Sequence, residues 1–479
     1  MRFFLLFLFL IQGFYLSSQS IAQKTEELSS SSAVKNGRFS FYAKNLETGE
    51  VIIEKDKNRR MSPASTLKLL TTYAAMDILG VDHRFTTKIG YAGELDENGL
   101  LIGDIVVQAG GDPALGADDF MNDYGNGAPI ERQVAIAIKQ AGISSIEGRI
   151  IIDETIYEGI DVPDEWTWQD MGNYYAAGAH ALTFKENMFK VDFRSSSKPG
   201  VLTEIENITP SIPDLDIKNH VESASIRSDQ AFFYSSPDSD ILKMYGKIPV
   251  NQKQFEVKGA MPNPALVFRQ AIKKQLVNSG IQIMERNLPR PDVLIWQRDV
   301  FELIRFESPP LEKLIAYTNM KSNNLYAEHF LRQIGKRKKG EGSYGKGIEA
   351  IIEWCNSKNI DTKGLRIKDG SGLSRANSVC ARLFVELLTS LFAEDYYHTF
   401  RDGLPIAGRS GSMRRVGQGS PIEGKVFAKT GYIEDARAYS GFLELDDQTI
   451  VFSIMANDYE LSASQMRNKM AELIVLLAK

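Results

Sequence analysis

The stretch Pro63-Ala-Ser65-Thr-Leu-Lys68 combines residue types that could carry out nucleophilic chemistry. A serine hydroxyl is a weak nucleophile until a base removes its proton, and a buried lysine with a depressed pKa can be that base. Apolar residues then recur at helical spacing, at Leu67, Leu70, Ala74 and Ile78. Because Pro63 precedes it, Ser65 is predicted to be the N-terminal cap of this helix. Ser65 and Lys68 should therefore share one face of the first turn, where free backbone N–H groups can meet an oxyanion.

The alternative for this stretch is an ordinary capped helix with a surface lysine. Ser-x-x-Lys is a common pattern, and it occurs three more times, at Ser32/Lys35, Ser195/Lys198 and Ser343/Lys346. No apolar helical pattern begins at any of those three, so we discard them. A catalytic role for Ser65 therefore depends on partners elsewhere in the chain.

Two short motifs in the last third of the chain could be these partners. Ser322-x-Asn324 lies at a break between two helical patterns and offers a hydroxyl and an amide, which can relay a proton or hold a peptide group. Lys429-Thr430-Gly431 lies at the end of a predicted strand. There Lys429 adds positive charge, Thr430 can bind a carboxylate, and Gly431 lets a substrate backbone approach the strand edge.

The three motifs, in this order, match the S-x-x-K, S-x-N and K-T-G set of penicillin-binding proteins and serine β-lactamases. The long separation of Ser65 from Ser322 resembles that in class C, type-4 penicillin-binding proteins, the D-alanyl-D-alanine carboxypeptidase/endopeptidase family S13. The resemblance implies hydrolysis of peptidoglycan stem peptides through a Ser65 acyl-enzyme, without a cofactor, and covalent inhibition by β-lactam antibiotics. The rival functions are a β-lactamase-like hydrolase and an inactive peptidoglycan-binding scaffold. The balance of carboxypeptidase and endopeptidase action stays open.

The resemblance also assigns roles to individual residues. Lys68, kept neutral by cationic surroundings, would deprotonate Ser65, and Ser322 with Lys429 would pass a proton to the leaving amine. Asp153, the last residue of the buried strand 148–153, would contact the amino end of the substrate's diamino acid. Asp369 and Ser371 would lie at the active-site rim. Tyr432 stands where many relatives have Ser or Thr, so its backbone N–H would serve the oxyanion and its side chain would alter specificity.

The patterning predicts an α/β (α+β) protein. Helices on an antiparallel sheet form a serine β-lactamase/transpeptidase-like domain, which a long strand-rich insertion interrupts. The predicted domains are a discontinuous catalytic domain (24–85 and 290–479), an inserted domain II (86–170 and 263–289) and a small β-rich domain III (171–262). A hairpin is predicted over 39–54. Clear helical patterns run over 130–141, 265–279, 380–392 and 463–477, and three antiparallel strands over 426–457.

The first residues and the composition bound the setting. Arg2 and the apolar run that follows it predict a signal peptide over residues 1–22, and hence an exported, periplasmic protein without an integral membrane span. The polar, Ser-rich residues 24–34 are expected to be a mobile leader. With a net charge of −5 and no long basic run, nucleic acid is not a predicted partner.

The cysteines and histidines suggest no metal chemistry. Cys355 and Cys380 either form a disulfide, as export would allow, or stay as buried thiols. The five histidines lack ligand spacing, so no metal site is predicted. The oligomeric state, a homo-oligomer included, stays open at this point.

Overall fold

The computed structural model describes residues 21–236, 239–285 and 300–479. The predicted signal peptide therefore lies outside the described residues, except for its last two positions. The chain divides into two compact units. The first unit contains the residues up to Val81 together with Glu312–Ile334 and Ile348–Lys479. The second unit contains Asp82–Leu311 and Gly335–Gly347.

The described part of the chain alternates short strands with helices of moderate length. In chain order the strands are β1 Arg38–Asn45, β2 Val51–Lys55, β3 Thr86–Leu95, β4 Leu100–Gln108, β5 Ser145–Glu147, β6 Ile150–Asp153, β7 Met188–Arg194, β8 Glu204–Thr209, β9 Asp216–Ala224, β10 Gln230–Tyr234, β11 Ile241–Pro249, β12 Phe255–Ala260, β13 Gln282–Met284, β14 Phe301–Glu307, β15 Val426–Ile433, β16 Ala436–Glu444 and β17 Thr449–Asn457. The named α-helices are α1 Lys68–Leu79, α2 Ile130–Gln140, α3 Trp168–Met171, α4 Pro264–Asn278, α5 Leu311–Lys321, α6 Asn324–Lys339, α7 Tyr344–Ser357, α8 Ala381–Phe392, α9 Tyr397–Asp402 and α10 Ala463–Leu476.

The first unit is built on a five-stranded antiparallel sheet in the order β15-β16-β17-β1-β2. The predicted hairpin is the pair β1–β2, and the three predicted C-terminal strands are β15, β16 and β17, so both predictions are confirmed. Strand β17 is buried along almost its whole length, and helix α8 packs across β17 and β1. Strand β15, which carries the Lys-Thr-Gly motif, is an edge strand. Residues 405–407 bridge its outer side at Val426–Ala428, and among the described residues no strand pairs with that side at the motif itself.

Residues 21–30 are helical, and they pack on the core of the first unit. Ile21 and Leu28 are 1% and 8% exposed and lie in one cluster with residues such as Phe452 and Met470. The prediction of a mobile leader over residues 24–34 was therefore wrong. The sparse apolar residues share one helical face, and this spacing matters more than the polar average of the stretch.

The second unit is rich in strands, as the sequence predicts. Its largest sheet runs β13-β5-β4-β3-β14, with β6 paired to β4 in parallel. Two three-stranded sheets, β10-β11-β9 and β12-β7-β8, complete it. Helices α2 and α4 are the helices predicted over 130–141 and 265–279, and they pack on each other. The expected combination of helices, antiparallel sheet and strand-rich region, and with it the α+β class, is confirmed.

Two remaining questions from the sequence concern the cysteines and the membrane. Cys355 and Cys380 are both free and buried, so the disulfide alternative is wrong. Burial raises the pKa of the Cys355 thiol to about 12, which makes it unreactive. Within the described ranges, no helix is both long and apolar enough to cross a bilayer.

Candidate active site

Ser65 lies in a short 3-10 turn, Ala64–Leu67, that leads directly into helix α1. The residue before this turn is Pro63, and no side chain caps the turn. The prediction that Ser65 is the N-terminal cap was therefore wrong. Ala64 adopts a left-handed conformation with φ of 46°, an uncommon backbone state for a residue with a side chain. Such strained residues often mark functional positions, and here the strain is adjacent to the serine.

Lys68 is fully buried and points its amine at Ser65. The Nζ atom lies 3.1 Å from Ser65 Oγ, and it also donates to Asn324 Oδ1 (2.5 Å) and to the carbonyl oxygen of Ser371 (2.8 Å). Burial lowers the pKa of Lys68 to about 7, although the nearby carboxyl groups of Glu328 and Asp369 act in the opposite direction. A base with a pKa near neutrality is the kind that can activate a serine. The expectation that cationic surroundings keep Lys68 neutral was wrong, because desolvation is the main cause.

Ser322 and Asn324 lie where helix α5 ends and helix α6 begins. Ser322 is itself left-handed, with φ of 58°, and this residue turns the chain from one helix into the next. Its Oγ accepts a hydrogen bond from Lys429 Nζ at 2.9 Å, while Asn324 accepts from Lys68. The Ser-x-Asn motif therefore contacts the Lys-Thr-Gly motif through Ser322 and the Ser-x-x-Lys motif through Asn324. Ser65 is connected to both through Lys68.

Lys429 is a second fully buried lysine in the same cluster. Besides Ser322, its amine contacts the carbonyl oxygen of Thr430 at 2.9 Å. Burial, together with the positive charge of Lys68, holds its pKa well below the usual range. Because the two lysines repel each other's charge, gain of a proton by Lys68 favours loss of one from Lys429.

Gly431 lies against the turn that carries Ser65. A methyl group at this position would lie 2.4 Å from the carbonyl oxygen of Pro63 and 3.1 Å from the backbone nitrogen of Thr66. From the sequence we expected Gly431 to make room for a substrate backbone. The structure shows that a glycine is already required here, because the position packs closely on the turn that carries Ser65. Thr430 is half-buried. Tyr432 is 54% exposed, and its ring centroid lies 4.7 Å from the guanidinium carbon of Arg437.

Asp369 and Ser371 are buried in a loop rather than exposed at a rim. The Asp369 carboxylate accepts hydrogen bonds from Gly372 N, Ser374 N and the side chain of Asn377, so it organises its own loop. Ser371 contributes its backbone, because its carbonyl oxygen contacts Lys68. The positions of both side chains differ from the rim position that the resemblance implies.

Glu328 is a member of this cluster that the sequence argument missed. Its carboxyl oxygens accept from Gly370 N (2.7 Å) and Ser371 N (2.8 Å), on the same loop that contacts Lys68. Burial and the charge of Asp369 raise its pKa to about 8. Glu328 lies four residues after Asn324 on helix α6, so helical spacing from the Ser-x-Asn motif could have identified it.

Asp153 lies in the second unit, at the end of strand β6. Its Oδ1 accepts hydrogen bonds from the backbone nitrogen (3.0 Å) and hydroxyl (2.7 Å) of Thr155. The carboxylate is partly exposed. Its local role is to stabilise the turn after the strand.

Comparison with known proteins supports the resemblance to the S13 family. The model of the D-Ala-D-Ala carboxypeptidase 3 (S13) family matches residues 21–479. A D-alanyl-D-alanine carboxypeptidase of Actinomadura sp. strain R39 is 26% identical over 431 residues, 86% of this chain and 76% of that protein. The D-alanyl-D-alanine carboxypeptidase DacB of Haemophilus influenzae is 25% identical over 447 residues, 91% of this chain and 88% of its own length.

The solved structures show a similar fold. Penicillin binding protein 4 (dacB) of Haemophilus influenzae superimposes with a TM-score of 0.78 at 23% identity, covering 96% of this chain and 97% of that one. The family match spans nearly the whole chain, and the motifs on which the resemblance rested lie together in the first unit. The chain belongs to the D-Ala-D-Ala carboxypeptidase 3 (S13) family.

Proposed function

We propose that the protein is a serine-type D-Ala-D-Ala peptidase that hydrolyses peptidoglycan stem peptides through an acyl-enzyme on Ser65, and that β-lactams acylate the same serine. The observation that carries this proposal is the Ser65–Lys68 pair. The two polar atoms lie 3.1 Å apart, and burial lowers the pKa of the lysine to about 7. The carboxypeptidase and penicillin-binding names of its relatives support the same reaction.

In the proposed acylation, neutral Lys68 takes the proton of Ser65 as Oγ attacks the carbonyl carbon of the penultimate D-alanine. The backbone N–H groups of Ser65 and Tyr432 stabilise the negative charge on the oxygen. Collapse of the tetrahedral intermediate breaks the peptide bond. The leaving amine receives its proton from Ser322, which Lys429 replenishes through their 2.9 Å contact. In deacylation, Lys429 takes a proton from the attacking water through Ser322, and charged Lys68 returns its proton to Ser65 Oγ as the ester breaks, which restores Ser65 and both lysines.

The order of proton transfers follows from the coupling of the two lysines. Lys429 carries a proton at the start of the reaction, while Lys68 is neutral. When Lys68 becomes charged by accepting the serine proton, its charge lowers the affinity of Lys429 for that proton. Lys429 is then a better donor toward Ser322 at the moment when the leaving amine needs a proton. Asn324 holds the Lys68 amine at 2.5 Å and so keeps it aimed during this step.

On the substrate side, we assign Thr430, Gly431 and Tyr432 to binding of the extended peptide. They lie on edge strand β15, which leaves backbone groups free to pair with an added strand. We keep Asp153 as the group that recognises the amine of the diamino acid. Its partly exposed carboxylate supports this role.

The domain organisation and the location are proposals too. We propose a catalytic domain formed by 24–85 and 290–479, an inserted domain II formed by 86–170 and 263–289, and a domain III formed by 171–262. We also propose export to the periplasm, which rests on the signal pattern at the N-terminus. The family match begins at residue 21, so residues 1–20 lie outside it.

The test is incubation with a labelled penicillin, followed by intact mass over time and peptide mapping. We expect a stable adduct on Ser65 that is absent in Ser65→Ala and in Lys68→Ala. Ser32→Ala removes an exposed serine from another Ser-x-x-Lys pattern, and it should acylate like the parent protein. Rapid release of the adduct would instead identify a β-lactamase-like hydrolase. No adduct, with binding to peptidoglycan retained, would identify an inactive scaffold.

A further inference from the structure

One face of the small sheet β10-β11-β9 in the second unit is exposed and carries several aromatic rings. Side chains alternate between the two faces of a strand. On this sheet the inward positions, such as Phe233, Leu242 and Met244, are fully buried. The outward positions include Phe232, Tyr245 and His220, which pair directly across the three strands and so form one row. Because other residues fill the core, these rings are not required for it.

The rings are also in contact with one another. Trp168 of helix α3 is 59% exposed, and its ring centroid lies 5.0 Å from that of Tyr234. Tyr234 meets Tyr245 edge-on at 5.9 Å, and Tyr245 stacks on His220 at 4.7 Å with the planes 14° apart. We call these four residues the ring ladder. Adjacent strands lie about 4.8 Å apart, so the ladder spans on the order of 10 Å or more.

A cavity of about 440 Å³ lies beside Phe232, which pairs with the ladder residue Tyr245 across strands β10 and β11. Phe232 of the ladder-bearing face forms part of its wall, together with Tyr174 and Tyr175. Polar groups that can donate or accept hydrogen bonds line it as well, namely Gln230, Glu256 and Lys258. Aromatic walls with a few polar groups are typical of sites that bind a small ring with a polar rim.

Charged residues flank the aromatic row on the ladder-bearing face. Lys243 and Lys247 of β11 and Lys218 of β9 occupy outward positions on either side of the aromatic row. Ile241, with 47% exposure, and Leu202, with 55% exposure and a bridge to Glu222 of β9, are aliphatic residues at its margin. The centre of this face is therefore aromatic, with aliphatic, charged and amide groups around it, and exposed apolar patches with a polar rim mark binding surfaces.

We propose that the ring ladder and the adjoining cavity bind the glycan strand of peptidoglycan. Sugar rings present apolar C–H faces that stack on aromatic rings, and polar rims that hydrogen-bond to flanking amide, carboxylate and ammonium groups. Lys243 and Lys247 suit the carboxylates that peptidoglycan carries, whereas Lys218 already pairs with Asp216 at 2.8 Å. A row of rings of this length suits an extended polymer. The inference rests on the proposed function, because that function makes the substrate a sugar polymer with attached peptides.

The test compares the full-length protein with two variants in sedimentation with insoluble peptidoglycan from which an amidase has removed the stem peptides. The double variant Trp168→Ala/Tyr245→Ala removes two rings of the ladder. Phe301→Ala is the control, because Phe301 is 58% exposed and stacks on Tyr91 at 5.1 Å on another sheet of the same unit. We expect the parent protein and Phe301→Ala to sediment alike. We expect the double variant to bind roughly tenfold more weakly, the factor that about 1.4 kcal/mol produces.

Turnover of a soluble stem peptide separates this inference from the proposed function. It should be the same in all three proteins, because a soluble stem peptide carries no glycan for the ladder to bind. If the parent protein neither turns over the peptide nor reacts with penicillin, yet its binding to peptide-free strands depends on the ladder, the proposed function fails and this inference stands.

Two results would overturn the inference. One is equal binding of the double variant and the parent protein to peptide-free strands. The other is failure of the parent protein to bind those strands, which would leave the face as a docking surface for a protein partner. The single variant Trp168→Ala, at the most exposed ring, guards against a folding artefact. It should lose part of the binding while its circular dichroism and Tm stay at the parent values.

Discussion

The lowered pKa of Lys68 makes a quantitative prediction about the pH dependence of acylation. Only the neutral amine can take the proton of Ser65. With a pKa of about 7, about half of the lysine is neutral at pH 7. With the ordinary value of 10.5, roughly 0.03% would be neutral at that pH. The acylation rate should therefore rise about tenfold per pH unit below neutrality and level off above it.

Asn324→Asp is the substitution that tests this reasoning most sharply. The side chain keeps its shape, but it places a carboxylate where Oδ1 now lies 2.5 Å from Lys68 Nζ. A negative charge so close should raise the lysine pKa by about 1–3 units. Because about half of Lys68 is neutral at pH 7, acylation at that pH should then fall by roughly 5- to 500-fold and recover as the pH is raised toward the new pKa. The rate constant for a fluorescent penicillin, measured between about pH 5 and pH 10, gives both profiles.

Two comparisons make the experiment decisive. Asn324→Ala loses the contact without adding charge, so it should slow acylation without moving the inflection to higher pH. Glu328→Gln removes a carboxyl group that raises the Lys68 pKa, so its inflection should stay or move to lower pH. This shift should be small, because Glu328 itself has a pKa of about 8 and is mostly neutral at pH 7. A loss in Asn324→Asp that does not depend on pH would refute Lys68 as the titrating base.

Four further predictions follow from the same contacts. Lys68→Met should abolish acylation without lowering the Tm. Keeping the Lys68 amine neutral costs the folded state about 4 kcal/mol at pH 7, and the substitution removes that cost. A Tm several degrees lower than that of the parent protein would contradict this explanation. Gly431→Val should displace the turn that carries Ser65 and slow acylation about 100-fold, measured by penicillin labelling. Labelling at the parent rate would contradict the close packing of Gly431 on that turn. Leu28→Ala should lower the free energy of unfolding by about 2–3 kcal/mol, measured by chemical denaturation. Ser30→Ala, at an exposed position of the same helix, should leave it unchanged. Equal stability of the two variants would mean that residues 21–30 do not pack on the core. Asp153→Asn should reduce turnover of muropeptides that carry a diamino acid, and the loss should shrink at high salt. Acylation by penicillin should stay unchanged. Equal losses of muropeptide turnover and penicillin acylation would mean that Asp153 has a structural role.

The sequence by itself determined the elements and the chemistry of this protein. The hairpin, the helices over 130–141 and 463–477 and the C-terminal strands follow from short-range periodicity, which depends on local residue order alone. The identities of Ser65, Lys68 and Lys429 follow from motif spacing. The sequence was misleading at residues 24–34, where two buried apolar side chains are hidden in a polar stretch.

Only the tertiary structure decided what surrounds these motifs. Burial, rather than neighbouring cations, lowers the pKa of Lys68, and desolvation is a property of the packed fold that no local pattern reports. The contacts of Glu328 with the loop at Gly370 and of Gly431 with Pro63 join residues distant in sequence. The ring ladder is likewise invisible in the sequence, because strand register places Tyr245 directly beside His220, which lies 25 residues away in the chain. Register and burial arise only when distant segments pack, and this is why the structure had to supply them.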